Sequence, residues 1–220
     1  MKRNQTLNLI GAVTLVTLAA KLLGIIREAL QARAFGTLAA ADLYTAANNN
    51  SIYLFTTAAY ALCIAAVPIL TPRLRRSRKE GYEAAGNLLT ITILVCAAVA
   101  ALWIGATYTP LMQSLWDGTA EETAQLGAYM RVMALTLPVI GATYLLVALM
   151  QSLEHFVLQG SMSIPYNLAL ILFLAVFAGQ MGVSGYVAAV AAAWLLQLGM
   201  TVPYMVKEKY RPRFHLDLRA

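Results

Sequence analysis

The sequence predicts an all-α fold, a polytopic membrane bundle of six transmembrane helices. Three observations carry this. Sixty per cent of the 220 residues are hydrophobic and only 12% are charged, against roughly 25% charged in an ordinary soluble domain. Mean hydropathy is +0.67. Apolar stretches recur along the chain at about the 20-residue length that crosses hydrocarbon.

Apolar runs read against their breakers place helices at about 7–30, 43–70, 85–108, 126–151, 164–180 and 185–206, a six-helix lobe over 1–206 followed by a basic tail or linker, 207–220. The run from Leu7 to Gly36 that contains helix 1 carries four charges, Lys21, Arg27, Glu28 and Arg33. An uncleaved helix is favoured over a removed signal peptide because the apolar run continues past Leu18-Ala19-Ala20 through Ile26. A short connection, Thr37–Ala41, leads to helix 2, with Asp42 expected as an N-cap that suits the helix dipole. A basic loop, Thr71–Glu83, follows, then helix 3, an acidic stretch from Thr109 to Thr123, and helix 4. The mixed segment Ser152–Ser163 precedes helix 5, and a tight turn, Gln180–Ser184, separates it from helix 6. Pro110, Pro138, Pro165 and Pro203 fall near ends or kinks, which membrane helices tolerate.

Lysine and arginine set the expected orientation. Lys2 and Arg3 precede helix 1, five basic residues between Arg73 and Lys79 follow helix 2, and Lys207, Lys209, Arg211, Arg213 and Arg219 follow helix 6. Twelve of sixteen therefore lie on one side, which the positive-inside rule makes cytoplasmic, so both termini are expected there. This topology accounts for the net charge of +6 without a nucleic-acid partner, since juxtamembrane basic loops attract anionic lipids.

Several chemistries lack support. Cys63 and Cys96 form no CxxC and read as small buried thiols, with no metal or redox motif. His155 and His215 read as surface histidines. The phosphate-loop, GxGxxG, HExxH and GxSxG patterns are all missing, so ATP hydrolysis, dinucleotide chemistry and the common hydrolase arrangements lack sequence support, and neither enzyme activity nor a cofactor is expected. No two glycines stand four apart, which removes the glycine form of the helix-packing motif.

The informative residues are polar ones inside the membrane, where charge is costly and marks a functional cavity. At 100° per residue, Lys21 and Glu28 lie within about 20° of each other, and Arg27 is about 120° from Lys21. Helix 1 must therefore meet polar surroundings over a broad arc. Arg33, near the helix end, is expected to snorkel to the interface. Helix 2 carries Asn48-Asn49-Asn50-Ser51, then Tyr53, Thr56, Thr57 and Tyr60. Such a run reads as a cavity-lining or partly unwound segment, with interhelical hydrogen-bonding glue as the alternative. The candidate substrate-binding set is Lys21, Arg27, Glu28, Asp42, Asn48, Asn49 and Asn50.

Lys21-Leu-Leu-Gly-Ile-Ile-Arg27-Glu28, Ala32-Arg33-Ala34-Phe35-Gly36 and Ala39-Ala-Ala-Asp42 resemble the N-terminal signature of the MurJ (MviN) lipid II flippases, in the multidrug/oligosaccharidyl-lipid/polysaccharide exporter superfamily. Ala66-Val67-Pro68-Ile69-Leu70 is similar to the end of that family's second helix. Met150-Gln151-Ser152, Phe156, Pro165 and Asn167 resemble the stretch joining its fourth and fifth helices, and Gln197 with Pro203 its sixth. The resemblance implies two six-helix lobes around a cationic cavity, working by alternating access on undecaprenyl-pyrophosphate-linked peptidoglycan precursor in the bacterial inner membrane. Its implied partners are that precursor (lipid II), membrane lipids and a second lobe, in cis or in trans. Arg27 matches an essential arginine, Asp42 an acidic residue, and Lys21 stands where the family usually has another arginine. The family's arginine-bearing segment of helix 2 is replaced here by Asn50-Ser-Ile-Tyr-Leu-Phe-Thr-Thr57, which has no cation. Export of another lipid-linked oligosaccharide, or a non-transporting half-size accessory role, are the alternatives.

Overall fold

A computed structural model describes residues 3–36, 38–110, 114 and 116–214, with side chains from Leu7 onward. Lys2, Thr37, His215 and Arg219 lie outside the described residues. Among those described, all regular structure is helical: α1 (Arg3–Phe35), α2 (Ala39–Asn48), a π-helical turn (Asn49–Tyr53), α3 (Leu54–Arg76), α4 (Arg78–Ala106), α5 (Ala120–Ala134), α6 (Leu137–Ser152), α7 (Phe156–Ser161), α8 (Ile164–Val176), α9 (Ala178–Gly199) and α10 (Val202–Lys207). They build six stretches long and apolar enough to cross a membrane: Leu7–Phe35, Ala39–Arg76, Arg78–Ala106, Ala120–Ser152, Phe156–Val176 and Ala178–Lys207.

Propensity and capping explain where these helices begin and end. The first runs on to Phe35 because Glu28-Ala-Leu-Gln-Ala-Arg33 is made of strong helix formers. Ala39–Ala41 start the second early, so Leu38 takes the N-cap position and Asp42 lies exposed within the first turn. Asp42 therefore does not cap the helix, although its charge still suits the helix N-terminus. The basic stretch is no loop. α3 continues through Arg76, whose neighbouring cations suit a helix C-terminus, and the chain breaks only at Ser77 (φ −156°, ψ 128°), which accepts a 3.4 Å hydrogen bond from the Glu80 amide to start α4. Thr119 opens α5 with a reciprocal capping box. The Glu122 amide donates to its hydroxyl at 3.2 Å, and its own amide donates to the Glu122 carboxylate at 2.8 Å.

Three prolines, Pro138, Pro165 and Pro203, occupy the first turns of α6, α8 and α10, where the missing amide costs nothing. The turn expected at Gln180–Ser184 is present as a kink at Gly182 within α9, and a further break precedes it where α8 ends at Val176, with Phe177 as its C-cap. The Gly182 φ of 60° with ψ of −159° belongs to a region essentially restricted to glycine.

Helix α6 is the hub. It is apolar on all sides, with Leu137, Ile140, Leu145, Leu149 and Met150 fully buried, and it packs against both α3 and α4. An all-round apolar helix belongs in an interior. Gly141 permits its approach to α4, since a Cβ there would stand 2.7 Å from the Cys96 sulfur. Single glycines thus do what a paired motif does elsewhere. Cys63 is buried and Cys96 half-buried, both as free thiols. At the other extreme, only 6% of the most apolar window of the first span is buried, against 72% for the fourth. Helix α1 is peripheral and rests chiefly on α8 and α7, where Gly160 lies so near that a Cβ would reach 2.8 Å from the Thr17 hydroxyl. One face of α1 meets protein, and the rest meets whatever surrounds the bundle.

Candidate functional site

The polar run of helix 2 is ordered as a π-helical turn, not unwound. Widening a helix by one residue redirects the side chains on either side, and such turns recur at functional sites. Its members separate accordingly. Ser51 is fully buried and accepts a 3.1 Å hydrogen bond from the Trp103 indole of α4. Asn50 donates to its own helix, at the Ala46 carbonyl, 2.9 Å away. Asn49 is exposed, and Asn48 faces a cavity. Thr56 and Thr57, on the first turn of α3, donate to the Ile52 and Tyr53 carbonyls of the π turn. Glue and cavity lining are both present, one residue apart.

That cavity, of about 540 Å³, opens between α1, the helix 2 segment, α6, α8 and α9. Arg27 stands at its edge. The guanidinium carbon lies 5.8 Å from the centre of the Tyr166 ring, within cation–π range, and Nη2 donates to Glu28 at 3.0 Å. The Arg27 side chain is 17% exposed and that of Glu28 is 71% exposed, so only the arginine is held within protein. Its Nε is buried and has no hydrogen-bond partner among the described residues. A buried, unsatisfied donor on a cation is unusual. Asn167 is fixed beside it by donating to the Ala20 carbonyl at 3.3 Å, which also ties α8 to α1.

The far wall is aromatic. Tyr60, Tyr144, Trp194 and Tyr166 form a continuous series with centroid spacings of 6.1, 6.5 and 5.3 Å, and it ends at Arg27. Behind Arg27, Phe35, Tyr44, Phe173 and Tyr186 make a second cluster, anchored where the Tyr186 hydroxyl donates to Gln31 at 3.0 Å. This packing fixes the face of α1 that Arg27 occupies.

Of the seven candidate residues, Arg27, Glu28 and Asn48 line this cavity. Lys21, Asp42 and Asn49 are exposed and do not line it, and Asn50 is half-buried against its own helix. Tyr144, Tyr166, Trp194 and Ser163 are lining residues that sequence reasoning did not single out. A signal was present: tyrosine and tryptophan belong at membrane interfaces, so Tyr144 and Trp194, well inside apolar runs, point to an internal polar surface. His155 is also no bare surface histidine. Its Nε2 lies 2.6 Å from the Glu208 carboxylate, with both side chains about 15% exposed.

A comparison with curated proteins returned no match. The family model described as lipid II flippase MurJ matches residues 31–220, beginning just after Arg27 and Glu28 and taking in Asp42, the π turn and every later helix. With most of its length so matched, the chain belongs to the MurJ family of inner-membrane lipid II flippases, transporters and not enzymes.

Proposed function

We propose that this chain is the N-terminal lobe of a lipid II flippase that works by alternating access, with Arg27 as the residue that holds the substrate's pyrophosphate. The observation that carries this is Arg27 itself. It is a cation within a membrane-spanning helix, largely enclosed, with one exposed carboxylate as its ion-pair partner and a buried Nε left unbonded. Pyrophosphate offers that donor a charged acceptor, and charge-assisted bonds from a guanidinium are the strong ones. The acyl chain stays in the bilayer throughout. Asn48, Thr56, Thr57 and Gln197 line the same cavity and suit the hydroxyls and amides of the headgroup, while Tyr60, Tyr144 and Trp194 offer flat apolar faces to sugar rings.

A cavity of about 540 Å³ holds a pyrophosphate with a sugar ring but not a disaccharide with its peptide. Alternating access in inverted-repeat transporters rocks one repeat against another around a shared site. A second lobe, in cis or in trans, is accordingly part of the proposal, joined through 207–220 if in cis. The exposed Lys21 and Asp42 would complete the site only where that lobe meets α1 and α2. Both termini are proposed to be cytoplasmic, on the positive-inside rule.

The test is transfer of fluorescent lipid II across proteoliposomes by the intact protein. Arg27→Ala should abolish transfer, and Arg27→Lys, a point charge without the guanidinium fork, should retain part of it. Full transfer by Arg27→Ala would remove this site from consideration.

A further inference from the structure

A second cationic site, sharing no lining residue with Arg27's cavity, lies where the third span begins and the sixth ends. The cleft has a volume of about 950 Å³, and Lys79, Lys209, Arg211 and Arg213 line it, with Glu83 the one carboxylate among the described residues of its walls. Lys79 is the second residue of α4, and Lys209 follows the end of α10 by two residues. Both therefore stand where hydrocarbon gives way to headgroups. Among the described residues the ion pairs are Arg27–Glu28, Arg78–Glu208 and His155–Glu208. None of these neutralises Lys79, Lys209 or Arg211.

The surrounding structure holds these cations together. After α10 the chain reverses at Lys209 (φ 55°), the Tyr210 amide donates to the Met205 carbonyl at 2.9 Å, and Tyr210 is buried with its ring 5.1 Å from that of Tyr82. Such a left-handed helix end usually uses glycine, yet a lysine stands here with its side chain on the cleft. Tyr82 is pinned in turn by donating to the Glu208 carbonyl at 2.7 Å. Phe214 lies on the wall, exposed. An exposed aromatic beside converging cations at a span end matches the boundary between phosphate and acyl chain.

We propose that this cleft binds the headgroup of an anionic glycerophospholipid. Its cations take the phosphodiester, Glu83 accepts from a headgroup hydroxyl, and Phe214 contacts the proximal acyl chain. The site is distinct from the transport cavity and does not rest on how that cavity is read. Phosphate-level chemistry is shared with soluble anions, and the acyl contact selects the lipid.

Native mass spectrometry of the intact protein in detergent, titrated with phosphatidylglycerol, phosphatidylcholine or inorganic pyrophosphate, tests this. Phosphatidylglycerol should bind in preference to phosphatidylcholine and resist displacement by pyrophosphate. The triple variant Lys79→Gln, Lys209→Gln, Arg211→Gln should weaken it roughly a hundredfold, at about fivefold per cation. An equal change of charge outside the cleft, Arg73→Gln, Arg76→Gln, Lys207→Gln, should leave affinity within about threefold. So should the charge-preserving pair Lys79→Arg, Lys209→Arg. Equal weakening by both triples, equal binding of phosphatidylcholine, loss in the charge-preserving pair, or ready displacement by pyrophosphate would each overturn the proposal.

Discussion

Glu208 ties three separate elements together, and replacing it with glutamine has a calculable effect. One carboxylate oxygen lies 2.6 Å from His155 Nε2, in the turn before α7, and the other 2.6 Å from Arg78 Nη1, at the start of α4. Arg78 is 60% exposed, so its pair contributes at most about 1 kcal/mol. The His155 contact joins two largely buried groups, and a hydrogen bond to a charged group of that kind contributes about 1.5–3 kcal/mol. Glutamine keeps the shape and one acceptor but not the charge, so the expected loss is about 2 kcal/mol. For a chain of this size that lowers the unfolding midpoint by about 4–8 °C. Hydrogen bonds from His155, and then from Arg78, hold the Glu208 carboxyl below its ordinary value. A depressed folded value means that the stabilisation is fully present above the unfolded value, about 4.3, and is lost as pH falls through the folded one. Wild type and Glu208→Gln should therefore differ at pH 7 and converge towards pH 3. Thermal unfolding in detergent, followed by intrinsic tryptophan fluorescence, measures both midpoints at either pH. An unchanged midpoint at pH 7, or a gap that persists undiminished at pH 3, would refute the argument.

Gly182→Ala should destabilise by about 1–3 kcal/mol, because its φ and ψ suit only glycine while no neighbour lies within 4 Å of the added methyl. The same unfolding assay reads the effect, and a neutral result would mean that the kink relaxes freely. Thr119→Ala should cost about 1 kcal/mol by removing the capping box of α5, and Thr119→Ser should restore most of it. Tyr166→Phe keeps the ring beneath Arg27 and should leave lipid II transfer near wild type. Tyr166→Ala removes the ring and should reduce transfer sharply, so equal activity in the two would show that the contact at 5.8 Å has no part in holding the guanidinium.

The six spans were legible because each is an apolar run longer than any soluble core helix requires, and hydropathy records that directly. Where the chain departs from the expected pattern, the cause is local. Arg73 to Lys79 reads as a polar loop, but arginine and lysine form helices well, and only Ser77 breaks the backbone. Gln180 to Ser184 reads as a turn because it holds glycine and polar residues, and the chain does break there, at Gly182, but composition does not mark the earlier break at Phe177. Composition marks where a helix can stop, whereas capping geometry decides where it does.

The site was legible only in part, for a reason that the π turn makes plain. Charge in a membrane helix singles out Arg27 whatever the fold, because the cost of burying it is independent of its neighbours. Direction is another matter. A regular helix 2 would send Asn48 and Ser51 out on related faces, three residues apart, but the π turn between them sends Asn48 to the cavity and Ser51 to Trp103. No periodicity in the sequence announces that extra residue. Lys21 carries the same limit from the opposite side. Its seven-residue spacing from Glu28 correctly puts both on the open side of α1, where each is exposed, but spacing along one helix cannot say whether α8 or something beyond the bundle faces them. The packing of α1 against α8 and α7 decides it: Arg27 is largely enclosed, while Lys21 is left exposed.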